Sequence, residues 1–142
     1  MSSRQLQIVD AVIAKLTATP LANIGAGNVC TDPDYPWQMG DLPAVAVYLG
    51  DETVSRALIG MDDRQLTLKI KLASRSSDPP HLADQTMLDI HDRIMNDTSL
   101  GGLALDIANQ AITRSRDVME APVLLIELDY QIDYRTTNTS LE

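Results

Sequence analysis

The clearest pattern in the chain is an alternation of apolar and polar residues over Val123–Arg135. Its apolar positions are Leu124, Ile126, Leu128, Tyr130, Ile132 and Tyr134. Because successive side chains of a strand point to opposite faces of a sheet, this pattern predicts a strand with one buried face. A shift of one residue would expose the whole apolar set to water, so the pairing register of this strand is firmly specified.

Three more segments have the pattern or the composition of strands. Gln65–Ala73 alternates as cleanly as the last strand, and Pro43–Leu49 is rich in valine and carries a tyrosine. The small Ala44 and Ala46 occupy alternate positions of Pro43–Leu49, which indicates close packing on that face. Asn109–Val118 alternates more weakly and is predicted as a strand, although its alanine content is also compatible with a helix.

The segment Asp51–Asp63 has turn residues at both ends and a mildly alternating middle. It predicts a long hairpin that links Pro43–Leu49 to Gln65–Ala73 within an antiparallel meander and that projects from the body of the domain. Leu58 and Ile59 lie near the expected tip. Two alternatives stay open for these apolar side chains, which either face a partner or fold back onto the core.

Two segments have the periodicity of amphipathic helices. In Ser3–Thr17 the apolar face consists of Ile8, Val9, Val12, Ile13 and Leu16. In His81–Asn96 it consists of Ala83, Met87, Ile90 and Ile94. A serine can cap the first helix, and Pro20 limits its continuation.

Between the first helix and Pro43–Leu49, the segment Leu21–Gly40 is interrupted by glycine and proline and is predicted to be a loop, with a short edge strand near Asn28–Thr31. This loop holds Tyr35 and Trp37. An aromatic side chain in such a loop either packs back onto its own core or anchors a protein interface, and both interpretations stay open.

These elements predict a single α+β domain over residues 1–140, in which a mixed, mostly antiparallel sheet carries the N-terminal helix and the central helix. The sequence contains no phenylalanine, so the core is expected to be aliphatic. The final Leu141–Glu142 pair is typical of a cloning-site remnant.

The formal net charge of −9 argues against a protein that grips a nucleic-acid duplex, because such proteins displace counterions with Lys and Arg. It is compatible with a surface that DNA passes without sticking. The single Cys30 cannot form an intrachain disulfide, so a reducing cytoplasm is expected during synthesis. No apolar run is long enough to span a membrane, and the N-terminus lacks the apolar region of a signal peptide.

No motif for catalysis, a cofactor or a metal is recognisable. On one helix, His81 and His91 would lie about 15 Å apart along the axis, too far to share a metal. The apolar helical neighbours of His91 indicate a histidine at the margin of the core. A second hypothesis, a small hydrolase, would need both histidines and some aspartates to meet only on folding.

Charged side chains follow three of the predicted strands. The basic residues are Lys69, Lys71, Arg114 and Arg116, and the acidic ones are Glu127, Asp129 and Asp133. Three arrangements fit this pattern: cross-strand ion pairs, a solvated face of the sheet, or a face that meets the complementary charges of a second copy.

The stretch Asp41–Leu49 resembles the hallmark strand of the tail terminator family of long-tailed phages, typified by minor tail protein U of lambda-like phages. The order of helix, strand, hairpin, strand and helix is also similar. The family also has a similar charged segment, here Arg114–Asp117, and a similar closing strand, here with Tyr130 and Tyr134. The hairpin and the preceding loop match the family less closely.

The resemblance implies a structural virion protein, without catalytic residues or a cofactor, that forms a homohexameric ring on the head-proximal end of the tail tube. The ring would end tube polymerisation, contact the tube protein and a head-completion or connector protein, and let DNA pass without specific binding. Assembly in the host cytoplasm, away from any membrane, is expected. A neighbouring neck or tail-completion adaptor is the alternative.

Three sets of residues are predicted to make the contacts of such a ring. Tyr35 and Trp37 are predicted as anchors, and the seven charged strand residues as the interface between copies. The hairpin set, predicted to face the tube, is Arg56, Leu58, Ile59 and Met61.

Overall fold

The computed structural model describes residues 3–24, 29–31, 42–75, 79–118 and 122–141, except for the side chains of Ala57, Asp117, Val118 and Pro122. In chain order its elements are α1 (Arg4–Thr17), β1 (Val29–Cys30), β2 (Ala44–Leu58), β3 (Met61–Arg75), α2 (Pro80–Met95), β4 (Asp106–Val118) and β5 (Pro122–Thr137). Both predicted helices and all four predicted long strands are confirmed. The short edge strand predicted before them is confirmed as β1.

The first helix begins where the sequence predicts it. Ser3 is the N-cap residue, and its Oγ accepts a hydrogen bond of 3.2 Å from the backbone N–H of Leu6. The other end of α1 is tied to the end of α2, because Lys15 Nζ lies 3.0 Å from Asn96 Oδ1. The apolar face of α1 that the periodicity predicts is turned to the core, where the buried residues are Ile8, Val9, Val12 and Leu16.

The five strands form one sheet in the order β1-β2-β3-β5-β4. Only β1 pairs with its neighbour in parallel, and the other three pairings are antiparallel. The last strand of the chain is therefore inserted between β3 and β4. Its register with β3 is unbroken from Met61 opposite Thr137 to Arg75 opposite Val123. The fold is a single α+β domain with a mixed, mostly antiparallel sheet.

The predicted hairpin is confirmed and is continuous with the sheet. β2 and β3 extend beyond the predicted strands and meet at a turn formed by Ile59 and Gly60. Gly60 has a φ of +83°, a left-handed conformation that glycine adopts without steric cost. Register shifts near the middle of β2 and near the turn increase the local twist of the hairpin.

Both helices pack on one side of the sheet. The core is mainly aliphatic, as expected, and it also contains Tyr130 and Tyr134 of β5, which the alternation predicted to lie on the apolar face. On the opposite side of the sheet, Ala44 and Ala46 are fully buried, as expected from their small size. Leu100, Gly101 and Gly102 have left-handed backbone conformations in the turn that precedes β4.

Candidate assembly surfaces

The turn end of the β2–β3 hairpin, residues 56–61, is called the hairpin tip. Ile59 is 97% exposed and Leu58 is 61% exposed, while Met61 is partly buried and Arg56 is exposed. The alternative in which Leu58 and Ile59 fold back onto the core is therefore wrong. Two large apolar side chains are exposed to solvent at the turn end of the hairpin, where β5 still pairs with β3, and exposed apolar side chains of this size are a feature of surfaces that contact partners.

A polar network at the base of the hairpin fastens it to the rest of the sheet. Arg64 donates hydrogen bonds to Glu52 Oε2 at 3.0 Å and to Thr136 Oγ1 at 2.8 Å. The Tyr134 hydroxyl donates a hydrogen bond to the other carboxylate oxygen of Glu52. The side chains of Arg64 and Glu52 are only 10% and 11% exposed. These bonds join β2, β3 and β5, so the direction of the hairpin is fixed by β5.

This network is not apparent from the alternation alone. Arg64 and Glu52 are ordinary polar residues of a hairpin in the sequence, and the register shift after Leu49 turns Glu52 to the helix side of the sheet. One signal was available: Arg64 lies two positions before Leu66, so both share the apolar face of β3. A charged residue on a core face needs a partner, and that requirement could have directed attention to Glu52.

On the face away from the helices, Lys69 pairs with acidic residues of β5. Its Nζ lies 3.0 Å from Glu127 Oε1 and 3.8 Å from Asp129 Oδ2. The hydrogen bond to Glu127 raises the pKa of Lys69. Burial, followed by the Glu127 charge, raises the pKa of the neighbouring Tyr48. Cross-strand ion pairing is therefore the arrangement that Lys69 adopts.

Lys71 and Asp133, the other predicted contact residues on this face, also lie on the central strands β3 and β5. Lys71 lies opposite Glu127 in the β3–β5 register. Asp133 accepts a hydrogen bond of 2.9 Å from Gln131 Nε2. This face therefore presents charges of both signs, of which Lys69 is paired with Glu127 and Asp129 within the chain.

The two arginines of β4 lie on the opposite face. Arg114 is paired in register with Ile126 and Arg116 with Leu124, both of which have side chains on the helix side. Arg114 Nη2 reaches to 3.9 Å from Met87 Sδ of α2. The seven charged residues therefore do not share one face of the sheet, because both arginines of β4 lie on the helix side. Their role in contacts between copies stays a prediction.

The other predicted residues divide as follows. Tyr35 and Trp37 lie outside the described residues, so their anchor role stays a prediction. His81 is exposed, whereas His91 is partly buried against Tyr130. Within the described part of the chain, no group of three or more metal-binding side chains comes together, and no helix is long and apolar enough to cross a membrane.

One cavity of about 350 Å³ lies between the start of α2, the end of β3 and the start of β5. Its lining is mixed: apolar side chains such as Leu72 and Leu124 lie beside polar ones, which are Asn23, Ser74, Arg75, Thr86 and Arg116. Thr86 Oγ1 already donates within the fold, to the carbonyl oxygen of Ala22 at 2.6 Å. The lining has the character of a space between packed elements, and no catalytic arrangement is present among these side chains.

Comparison with known proteins agrees with this architecture. A sequence profile described as phage minor tail protein U matches residues 4–134. A chain in the virion of a native gene transfer agent particle has the same fold, with a TM-score of 0.64 and 17% sequence identity over 91% of this chain and 95% of that chain. None of the curated proteins compared with the sequence matches it significantly.

Proposed function

Because this chain belongs to the phage minor tail protein U family, we propose that it caps the phage tail tube as a ring. A structural role in the tail region of the virion follows from the family itself. The proposal adds that the ring ends tube polymerisation and forms the surface to which the head joins. This role depends on shape and contact and needs no catalysis.

The observation that carries the proposal is the hairpin tip. Ile59 is almost fully exposed, so its side chain adds no burial energy to the folded monomer. Association with a partner that covers Leu58 and Ile59 would be favoured by roughly 25 cal/mol for each Å² of apolar surface removed from water. The network of Glu52, Arg64 and Tyr134 holds the tip in place before binding. Little ordering entropy is then lost on contact, which favours a rigid docking element on the tube.

The charge balance supports the passage of DNA through the ring. With a formal net charge of −9, the protein repels a polyanion instead of binding it. We propose six copies, at the head-proximal end of the tail, with the tube protein on one side and a head-completion or connector protein on the other. Assembly would take place in the host cytoplasm.

Electron microscopy of the purified protein mixed with purified tail tubes tests this function directly. We expect ring-shaped density at one end of each tube, and tubes that no longer elongate when tube protein is added. Sedimentation across a range of protein and salt concentrations measures the number of copies that associate in solution. A strict monomer under all conditions, including with tubes present, would overturn the proposal, and labelled protein located beyond the tube end would favour a neck adaptor.

A further inference from the structure

β4 forms one edge of the sheet and is exposed over most of its length. It pairs with β5 on one side, and no strand in the described part of the chain pairs with its other side. Residues 108–116 are all exposed, and Ile112 is 44% exposed. An edge strand of this length presents a row of unpaired backbone N–H and C=O groups, which is a template for another strand.

The distal half of β2 forms a second open edge at the opposite end of the same sheet. β1 pairs only with Val45 and Ala46, so from Leu49 onward β2 pairs with β3 alone among the described strands. Thr53, Val54, Ser55 and Arg56 are exposed there. Among the described strands, the sheet therefore has two different open edges.

The directions of the strands make these two edges compatible. β2, β3, β5 and β4 alternate in direction across the sheet, so β4 runs opposite to β2. Copies in a ring are related by rotation about the ring axis, and such a rotation leaves the direction of each strand relative to that axis unchanged. Where β4 of one copy met β2 of the next copy, the two strands would be antiparallel, and the alternation would continue across the junction.

The side chains at the two edges are complementary in one antiparallel register. If Ile112 lies opposite Val54 of the next copy, Arg114 lies opposite Glu52. All four belong to the helix side of the sheet, as their partners in β3 and β5 show. An apolar pair and an Arg–carboxylate pair both favour adjacent strands, and a carboxylate can accept the additional hydrogen bond.

We propose that neighbouring copies in the ring are joined by antiparallel pairing of β4 with the distal half of β2, residues 49–58. This inference rests on the proposed ring and specifies its joint. The contact is heterologous, because two different edges meet, and it can therefore repeat around a closed ring.

Cysteine cross-linking in a Cys30→Ser background tests the joint. In the register above, Thr113 faces Thr53 of the next copy, and both side chains are exposed on the face away from the helices. Within one chain these positions are three inter-strand steps apart, which is at least about 14 Å and exceeds the reach of a disulfide. A bond in the Thr53→Cys/Thr113→Cys variant must therefore join two molecules.

We expect oxidation of the double variant to give a ladder of covalent multimers that ends at the ring. Mixing the two single variants should give a heterodimer, while each alone should stay uncoupled. Ala111→Cys with Ser55→Cys belongs to the same antiparallel register and should also cross-link. Thr113→Cys paired with Asp92→Cys, an exposed position on α2, is the matched control and should not.

Two results would overturn the inference while leaving the ring intact. One is covalent dimers of Thr113→Cys alone, because they would show β4 pairing with itself around a two-fold axis. The other is rings seen by sedimentation or microscopy with no cross-link in either register-matched pair and none in Thr53→Cys/Ser115→Cys, which tests a register shifted by two residues. Absence of any multimer, with tubes present, would overturn the ring and the joint together.

Discussion

The Tyr130 hydroxyl lies 2.9 Å from His91 Nδ1, and the two rings stack with their centroids 5.9 Å apart at an interplanar angle of 24°. Tyr130 is fully buried in β5, and burial raises its pKa, so the hydroxyl keeps its proton and can donate to the histidine nitrogen. The contact joins α2 to the centre of the sheet. It gives His91 a structural partner, which agrees with its interpretation as a histidine at the margin of the core.

The first prediction concerns this pair. Tyr130→Phe should lower the free energy of unfolding by about 1 kcal/mol, the net contribution of one hydrogen bond. His91→Ala should cost about 1–3 kcal/mol, because it removes the stacked ring as well. Urea denaturation of both single variants and the double variant gives the coupling energy. A coupling energy near zero would show that the side chains of Tyr130 and His91 are adjacent but do not stabilise each other.

The second prediction concerns the hairpin tip. Leu58→Asp combined with Ile59→Asp should leave the free energy of unfolding within about 0.5 kcal/mol of the parent protein, because both side chains are exposed. The same variant should fail to bind tail tubes in co-sedimentation. Leu88→Asp on α2, where the parent side chain is 53% exposed, is the matched control and should bind normally. Loss of the cooperative unfolding transition in the tip variant would show instead that the tip is part of the core.

The third prediction concerns the base of the hairpin. Arg64→Met should lower the free energy of unfolding by about 2–4 kcal/mol, because it leaves the mostly buried Glu52 carboxylate without its cation. Arg135→Met removes the ion pair with Asp63, in which both side chains are more than a third exposed, and should cost less than about 1 kcal/mol. Equal losses in the two variants would contradict a buried anchoring network.

The fourth prediction concerns alkaline pH. Burial raises the pKa of Tyr130 and, together with the hydrogen bond to Glu52, that of Tyr134. An unfolded tyrosine loses its proton near pH 10, whereas these two keep theirs while the protein is folded. Their contribution to stability is fully present below about pH 10 and is lost as the pH rises further, by up to about 1.4 kcal/mol per pH unit for each residue.

Urea denaturation at several pH values above and below 10, with tyrosinate absorbance recorded in parallel, measures this loss. Tyr134→Phe should make the alkaline decline less steep, since one of the groups no longer ionises on unfolding. If the absorbance showed both tyrosines ionising before the protein unfolds, the buried placement of the pair would be contradicted.

Local sequence patterns predicted the elements and their inward faces. The alternation over Val123–Arg135 identified every buried side chain of β5 on the helix side except Thr136, because a period of two is fixed by the backbone of a strand. The turn signals around Asp51–Asp63 predicted the hairpin for the same local reason. Whether Leu58 and Ile59 are exposed could not be predicted, since that depends on which elements lie nearby.

The sequence by itself determined which residues of each helix and strand face the core, because that depends on the side-chain period of a single element. Only the tertiary structure decided that β5 lies between β3 and β4, because strand neighbours are chosen by contacts between residues far apart in the chain. That choice pairs Lys69 with Glu127 and turns Arg114 towards α2. Within the part of the chain that the structure describes, it also leaves β4 and the distal half of β2 as open edges of the sheet.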